Sequence, residues 1–318
     1  RQDDLIQPIG TDSTPVRFTV SLGESTRQIA QNLYAMNLIR DPELFVDYAR
    51  LEGLDRQLEA GTYFVNQTQN ITTIARMLID SRNASITFRI LEGSRIEEVA
   101  ANVDANGLFG FTGAAFLAEV GPNAPVDPQV ITMLGLPAGA SLEGYLYPDT
   151  YILPPEITAR GLRDTLLEAF IAAVGPQLMA DAAAQGLSVH QAVIIASIVE
   201  REAVWPEENP MIASVYRNRM RIGMRLEADP TVQYGLNGSR GTWWPDITLA
   251  DYRNVNSAYN TYLIDGLPPG PIASPALSAI QAAVYPAQSD YFFFRAACDG
   301  SNYHNFATTY EEHLANGC

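Results

Sequence analysis

Two hydrophobic periodicities divide the chain. Up to about residue 107, short β-rich runs (VRFTV at 16–20, GTYFV at 61–65 and ITFRI at 86–90) predict strands, and the segments between them place apolar residues three and four apart, as amphipathic helices do. Beyond Gly107 the texture shifts to Gly- and Pro-punctuated loops, with VGPNAPVDP and LGLPAGAS as connectors. From residue 159 the period is helical, predicting helices over 159–174, 189–203, 209–222 and 275–284. The aromatic run YFFFRA at 291–296 predicts a buried strand, and TTYEEHLANG predicts a short helix stopped by Gly317. The fold class is therefore α+β, with an α-rich second part edged by strands.

Sliding the chain against itself by 70 residues aligns GESTRQIAQNLYAMNLI, starting at Gly23, with GSRIEEVAANVDANGLF, starting at Gly93. Ile29 and Val99, Ala30 and Ala100, Asn32 and Asn102, and Leu38 and Leu108 stay in register. Each copy reads as strand, Gly turn, helix. The first continues through a helix near Pro42 and closes on GTYFV, a βααβ order that resembles a LysM glycan-binding module and equally suits a generic α/β packing unit. The resulting division is a polar linker at 1–15, a LysM-like region with an internal repeat at 16–107, and a catalytic part at 108–318.

Composition narrows the partners. The 318 residues carry a net charge of -16, and all 20 basic residues are Arg. That balance excludes a nucleic-acid backbone as partner, because phosphate binding needs clustered cations. Cys298 and Cys318 have no metal-ligand spacing, and His190, His304 and His313 have none either, so no metal site is expected. A Cys298–Cys318 disulfide would tie down the C-terminus and imply an oxidising compartment; two free thiols are the alternative. No apolar run is long enough to cross a bilayer. The opening RQDDLIQPIGTDSTP begins at Arg rather than Met and reads as chain downstream of a removed anchor.

No H-E-x-x-H, G-x-S-x-G, phosphate loop or dinucleotide fingerprint is present, which leaves carboxylates and aromatics, the equipment of enzymes that act on sugars. The apolar helix HQAVIIASIVERE ends on Glu200, Arg201 and Glu202. On a helix the two glutamates stand roughly 200° apart, so they cannot share one site. Glu200 shares a stripe with Val193, Ala196 and Ser197, and Glu202 with Ile195, Ile198 and Val199. A carboxyl desolvated by such neighbours has its pKa raised, as a general acid requires. Periodicity does not choose between them, and either could be a helix-end ion-pair partner.

Four motifs, SLEGYLYPDTYIL (141–153), ASIVERE (196–202), VYRNRMRIGMRLEADPTVQYGL (215–236) and YNTYLIDGLPPGPIASPALSAIQAAVYPA (259–287), occur in an order and spacing that resemble the YceG-like, or MltG, endolytic murein transglycosylases. The resemblance covers most of the chain, and it implies that Glu200 is the catalytic acid. It implies cleavage of the bond after N-acetylmuramic acid, with the sugar's own C6 hydroxyl as nucleophile and a 1,6-anhydro end as product. It further implies peptidoglycan glycan strands as substrate, peptidoglycan synthases as protein partners, no cofactor, and an extracytoplasmic location behind a single-pass anchor. Amides, hydroxyls and aromatic faces suit pyranose rings, so Ser197, Asn218, Arg219, Gln233, Tyr234, Tyr259, Asn260, Thr261 and Tyr262 are expected to hold substrate. Asp229 and Pro230 read as a helix cap and first helical position. Two departures stand out: Glu227 where the family commonly has Gln, and Ala258 where it commonly has Pro. Glu227 or Glu143 as a second carboxylate would make the protein a hydrolytic muramidase, and a glycan-binding scaffold without turnover is the other alternative.

Overall fold

The structure, a computed structural model, describes residues 5–317. The chain packs as two compact units: the first holds the chain up to Phe88 with Val103–Thr112 and Thr150–Thr158, and the second holds Arg89–Asn102, Gly113–Asp149 and the chain from Ala159 on. These units cut across the expected division at residue 107.

In the first unit, β1 (Val16–Val20), α1 (Thr26–Ala35), α2 (Pro42–Leu51) and β2 (Gly61–Val65) give the expected βααβ order. β1 and β2 pair antiparallel, from Val16 opposite Val65 to Val20 opposite Gly61. The Ser25 hydroxyl caps α1 by accepting from the Gln28 N–H, and Asp41 caps α2 ahead of Pro42. Phe18, Ile29, Leu33, Phe45, Tyr63 and Ile74 meet in one core, the last from α3 (Ile71–Met77). The stretch before β1 is fastened rather than free, since the Gly10 N–H donates to the Gln67 carbonyl at 3.0 Å and the Gln67 N–H to that of Asp12 at 3.1 Å. β3 (Ile86–Arg89) pairs with β4 (Thr150–Leu153), far along the chain. Arg17 ties the unit's separate stretches together by donating to the carbonyls of Leu108 at 2.9 Å and Pro155 at 2.8 Å.

The repeat glycines behave alike: Gly23 has φ 79° and Gly93 φ 72°, left-handed turns that glycine adopts without steric cost. The turn at Gly93 leads into α4 (Ile96–Asn106), whose residues up to Asn102 belong to the second unit. There follow α5 (Gly113–Val120), α6 (Pro128–Leu134) and α7 (Ala159–Ala184), two helical stretches of which the first ends at the expected residue 174, ahead of the non-helical Gly175. α7 kinks at Gly175 (φ 67°, ψ 164°), just before Pro176. It has the length and hydropathy of a bilayer-crossing helix, yet Leu162, Leu166, Phe170 and Leu178 are buried in the protein.

α8 (Val189–Glu202) is the central helix of the second unit. A capping box between Ser188 and Gln191 starts it, and every residue from Ala192 to Val199 is buried. Burial all round explains why its periodicity singles out no face. It packs on α9 (Asn209–Arg221), α10 (Asp229–Leu236) and α12 (Leu277–Val284), with the four-residue α11 (Asp251–Asn254) between the last two in sequence. β5 (Phe293–Ala296) and β6 (His304–Ala307) form an antiparallel pair, and α13 (Tyr310–Ala315) closes the described chain on a Thr309–Glu312 capping box. Phe293 and Phe294, expected in a buried strand, are only half-buried. The expected pairing of Cys298 rests on Cys318, which lies outside the described residues.

Candidate active site

At the end of α8 the two glutamates part, as their angular separation requires. Glu202 lines a cavity of about 610 Å³ within the second unit, together with Tyr216 and Arg219 of α9, Glu227, Asp229 and Tyr262. Phe293, His304 and His313 complete the wall from the C-terminal strands and helix. Burial pushes the Glu202 carboxyl up to about 7, reinforced by the nearby Asp229 carboxylate and opposed by the Tyr216 hydrogen bond and the Arg219 charge. The Tyr216 hydroxyl donates to Glu202 Oε1 at 2.7 Å and fixes its orientation.

Asp229 accepts from the hydroxyls of Tyr262 at 2.6 Å and Tyr252 at 3.3 Å, whose rings stack with centroids 4.1 Å apart. Its carboxylate thus serves the cavity and not, as expected, the start of α10, where Ala228 occupies the cap position. Arg219 is buried and donates through Nε to the Phe292 carbonyl at 2.6 Å and through Nη1 to that of Leu226 at 2.5 Å, lying 5.3 Å from the Phe293 ring centroid. Glu227, 3.8 Å from Arg219, sits at φ 49° with its side chain 44% exposed.

Glu200 points elsewhere. Its Oε2 accepts from the Ala276 N–H at 2.9 Å, the cap position of α12, and it is not among the residues lining the cavity. Burial also raises its pKa, with the Ala276 N–H and Arg201 opposing and Glu92 adding. The resemblance gives the acid's role to Glu200; the glutamate that lines this cavity is Glu202. The chain's sugar-binding expectations divide similarly. Arg219 and Tyr262 stand in the cavity wall with Glu202. Ser197 is fully buried and links the Ile194 carbonyl to the Ile272 N–H, and Asn218 donates to the carbonyls of Ser289 and Tyr291. Gln233 donates to the Pro245 carbonyl, while the Tyr234 hydroxyl donates to Glu143 at 3.3 Å and its ring lies 4.6 Å from that of Tyr259.

Asn260 and Thr261 need correction as substrate ligands, because both are fully buried and satisfied inside the protein. Asn260 donates to the carbonyls of Tyr252 and Val255. Thr261 Oγ1 accepts from the Ala228 N–H at 2.9 Å and pairs with Thr231 Oγ1 at 2.9 Å, so these side chains set the height of Asp229 and Tyr262. Thr261→Val should therefore cost about 1–3 kcal/mol of stability in urea unfolding, by orphaning a buried N–H and a hydroxyl. A variant with unchanged stability and a raised KM would return Thr261 to the substrate.

A second buried cluster lies outside the cavity. Arg95, 1% exposed, stacks 4.0 Å from the Tyr234 centroid and 4.8 Å from that of Trp243, and Arg201 lies 3.9 Å from that of Trp244. Glu143 accepts from the Ile96 N–H, and burial pushes its carboxyl up to about 8. Tyr216, Tyr252 and Phe293 were missed in the sequence; they lie on separate elements, and only the stripe shared by Glu202, Ile198 and Ile195 pointed their way.

The YceG-like family model matches residues 18–317. The chain is 28% identical over 325 residues to an endolytic murein transglycosylase of Bacillus subtilis (strain 168), covering 97% of this chain and 86% of that protein. It is 29% identical over 337 residues to an endolytic murein transglycosylase of Streptococcus pneumoniae (serotype 2, strain D39), covering 98% of this chain and 60% of that longer protein. The crystal structure of a yceG-like protein from Listeria monocytogenes superposes with a TM-score of 0.64 at 28% identity, covering 96% of this chain and 99% of that one.

Proposed function

The chain belongs to the YceG-like family, and from that premise we propose that it is an endolytic lytic transglycosylase that cleaves murein glycan strands with Glu202 as acid and base. The observation that carries the assignment of the acid is the position of Glu202: a carboxyl held near pKa 7 inside an aromatic-walled cavity, with a tyrosine fixing one oxygen. The protonated carboxyl donates to the glycosidic oxygen as the C1–O bond of the muramyl residue breaks. The carboxylate left behind takes the proton of that residue's C6 hydroxyl as it closes on C1, giving a 1,6-anhydro end and returning Glu202 to its acid form. No water is consumed, and the nucleophile is held in place by its own ring. Asp229, fixed by two tyrosine hydroxyls, supplies a negative charge that keeps Glu202 protonated and opposes the positive charge developing at C1.

Of the two carboxylates that could serve ordinary hydrolysis, Glu143 is fully buried and absent from the cavity wall, while Glu227 lines it. The products separate the two reactions. Digestion of purified sacculi should yield muramyl ends lighter by one water than hydrolytic ends, read by mass spectrometry. Reducing ends instead would make Glu227 the activator of a water, and no new ends would leave a glycan-binding scaffold. Murein lies outside the cytoplasm, which puts the site of action there. The βααβ part is read as a LysM-like glycan-holding module, supported by its element order and its turn at Gly23. A membrane anchor ahead of the chain and synthases as partners belong to the same reading.

A further inference from the structure

We propose that a second cavity, of about 640 Å³ and sharing a wall with the first, is a subsite that seats the continuing glycan strand and holds a carboxylate of its muramyl substituent on Arg253. The inference rests on the reading of the protein as a glycan-strand enzyme. Glu227, Leu249, Tyr252 and Tyr262 line both cavities, so the two are consecutive stretches of one groove. The stacked Tyr252 and Tyr262 stand at the junction, between the cavity that contains Glu202 and the one that contains Arg253. Each cavity falls in the ~300–1,000 Å³ range of small-molecule sites, and a polymer cut within its length must occupy a groove beyond the reacting bond.

The chemistry of this wall fits a substituted sugar. Leu249 is 82% exposed and Leu263 38%, apolar surface at the edge of the groove against which the C–H face of a pyranose can pack. Arg253 is exposed and has no acidic partner among the described residues. In a chain of net charge -16, a cation facing an open groove is the group that draws an anionic ligand in. The segment is also built to keep its shape. Asp251 is held by Arg240 at 2.6 Å and by the Thr248 N–H and hydroxyl at 2.7 and 2.9 Å, and Asn260 donates to the carbonyls of Tyr252 and Val255 at 3.2 and 2.9 Å. Leu249, Tyr252 and Arg253 are thereby presented on a fastened loop and short helix, which lowers the ordering cost of binding.

The test uses Arg253→Ala and Leu249→Ala in the full chain. Both positions are exposed, and circular dichroism should show an unchanged fold. Steady-state cleavage is followed on peptide-bearing strands, on strands stripped of their peptides, and on a short muro-tetrasaccharide. Arg253→Ala should raise KM for strands about tenfold with kcat nearly unchanged, the mark of lost uniform binding. The rise should be smaller for the tetrasaccharide, and Leu249→Ala should follow the same order. A rise confined to peptide-bearing strands assigns the carboxylate to the stem peptide, and one that persists on stripped strands assigns it to the lactyl group. Unchanged strand KM in both variants, with wild-type products still ending in anhydro sugars, would overturn the subsite and leave the reaction standing. Absence of anhydro ends would overturn the reaction itself.

Discussion

Glu202→Gln should lower murein cleavage by about 10²–10⁴-fold, the range lost with a general acid, while the protein stays folded. The amide can neither donate the first proton nor accept the second. It should also melt no lower than wild type at neutral pH. The folded carboxyl titrates near 7 and the unfolded one near 4.5, so between those values the fold holds a proton that the unfolded chain has released. Stability contributed by this group is therefore full below about pH 4.5 and falls as pH rises towards 7, and the Gln variant lacks that loss. Glu200→Gln should keep activity within a few fold, because the amide oxygen can still accept from the Ala276 N–H. An inactive Glu200→Gln beside an active Glu202→Gln, measured on sacculi with melting curves for both, would return catalysis to Glu200.

The rate of cleavage should fall about tenfold for each pH unit above roughly 7, as Glu202 loses the proton it must donate. Tyr216→Phe identifies the group behind this limb. The Tyr216 hydroxyl donates to the ionised carboxylate and so favours it; without that bond the carboxyl should hold its proton to higher pH, and the limb should move up. Profiles of kcat/KM from pH 5 to 9 for both proteins decide the matter. A limb in the same place in both would assign the titration to another group.

Much of this architecture was legible in the residues because local rules governed it. The repeat glycines sit in matching left-handed turns, the βααβ order runs from Val16 to Val65 around Gly23, and α8 ends at Glu202, one residue short of the expected boundary. The site was legible only in part. Glu200 and Glu202 end a helix that is buried on every side, so no apolar stripe marks which glutamate lines the cavity. That choice belongs to Tyr216 on the next helix and to Asp229 and Tyr262 farther along, none of them predictable from α8 itself. Asn260 and Thr261 look like sugar ligands by side-chain type, yet the same amides and hydroxyls also satisfy buried backbone, and only burial distinguishes the two uses. Asp229 precedes a proline as caps do, but two tyrosines from beyond residue 250 claim its carboxylate.

The chain passes from one compact unit to the other at residues 88, 102, 112, 149 and 158. Each passage is a covalent tie, so neither unit can be completed from one uninterrupted length of polypeptide. As the chain emerges during synthesis or export, β3 waits for β4, and Arg17 waits for the Pro155 carbonyl, before the first unit is whole. Half of the molecule must therefore be out before its beginning is finished, and each of these long loops adds its closure entropy to the cost of assembly. A truncation at residue 107 would remove β4 from its partner and leave an open strand edge, a template for association with other chains. Evolution can lengthen or decorate the loops of such a chain, but it cannot lift the front part off and place it on another enzyme.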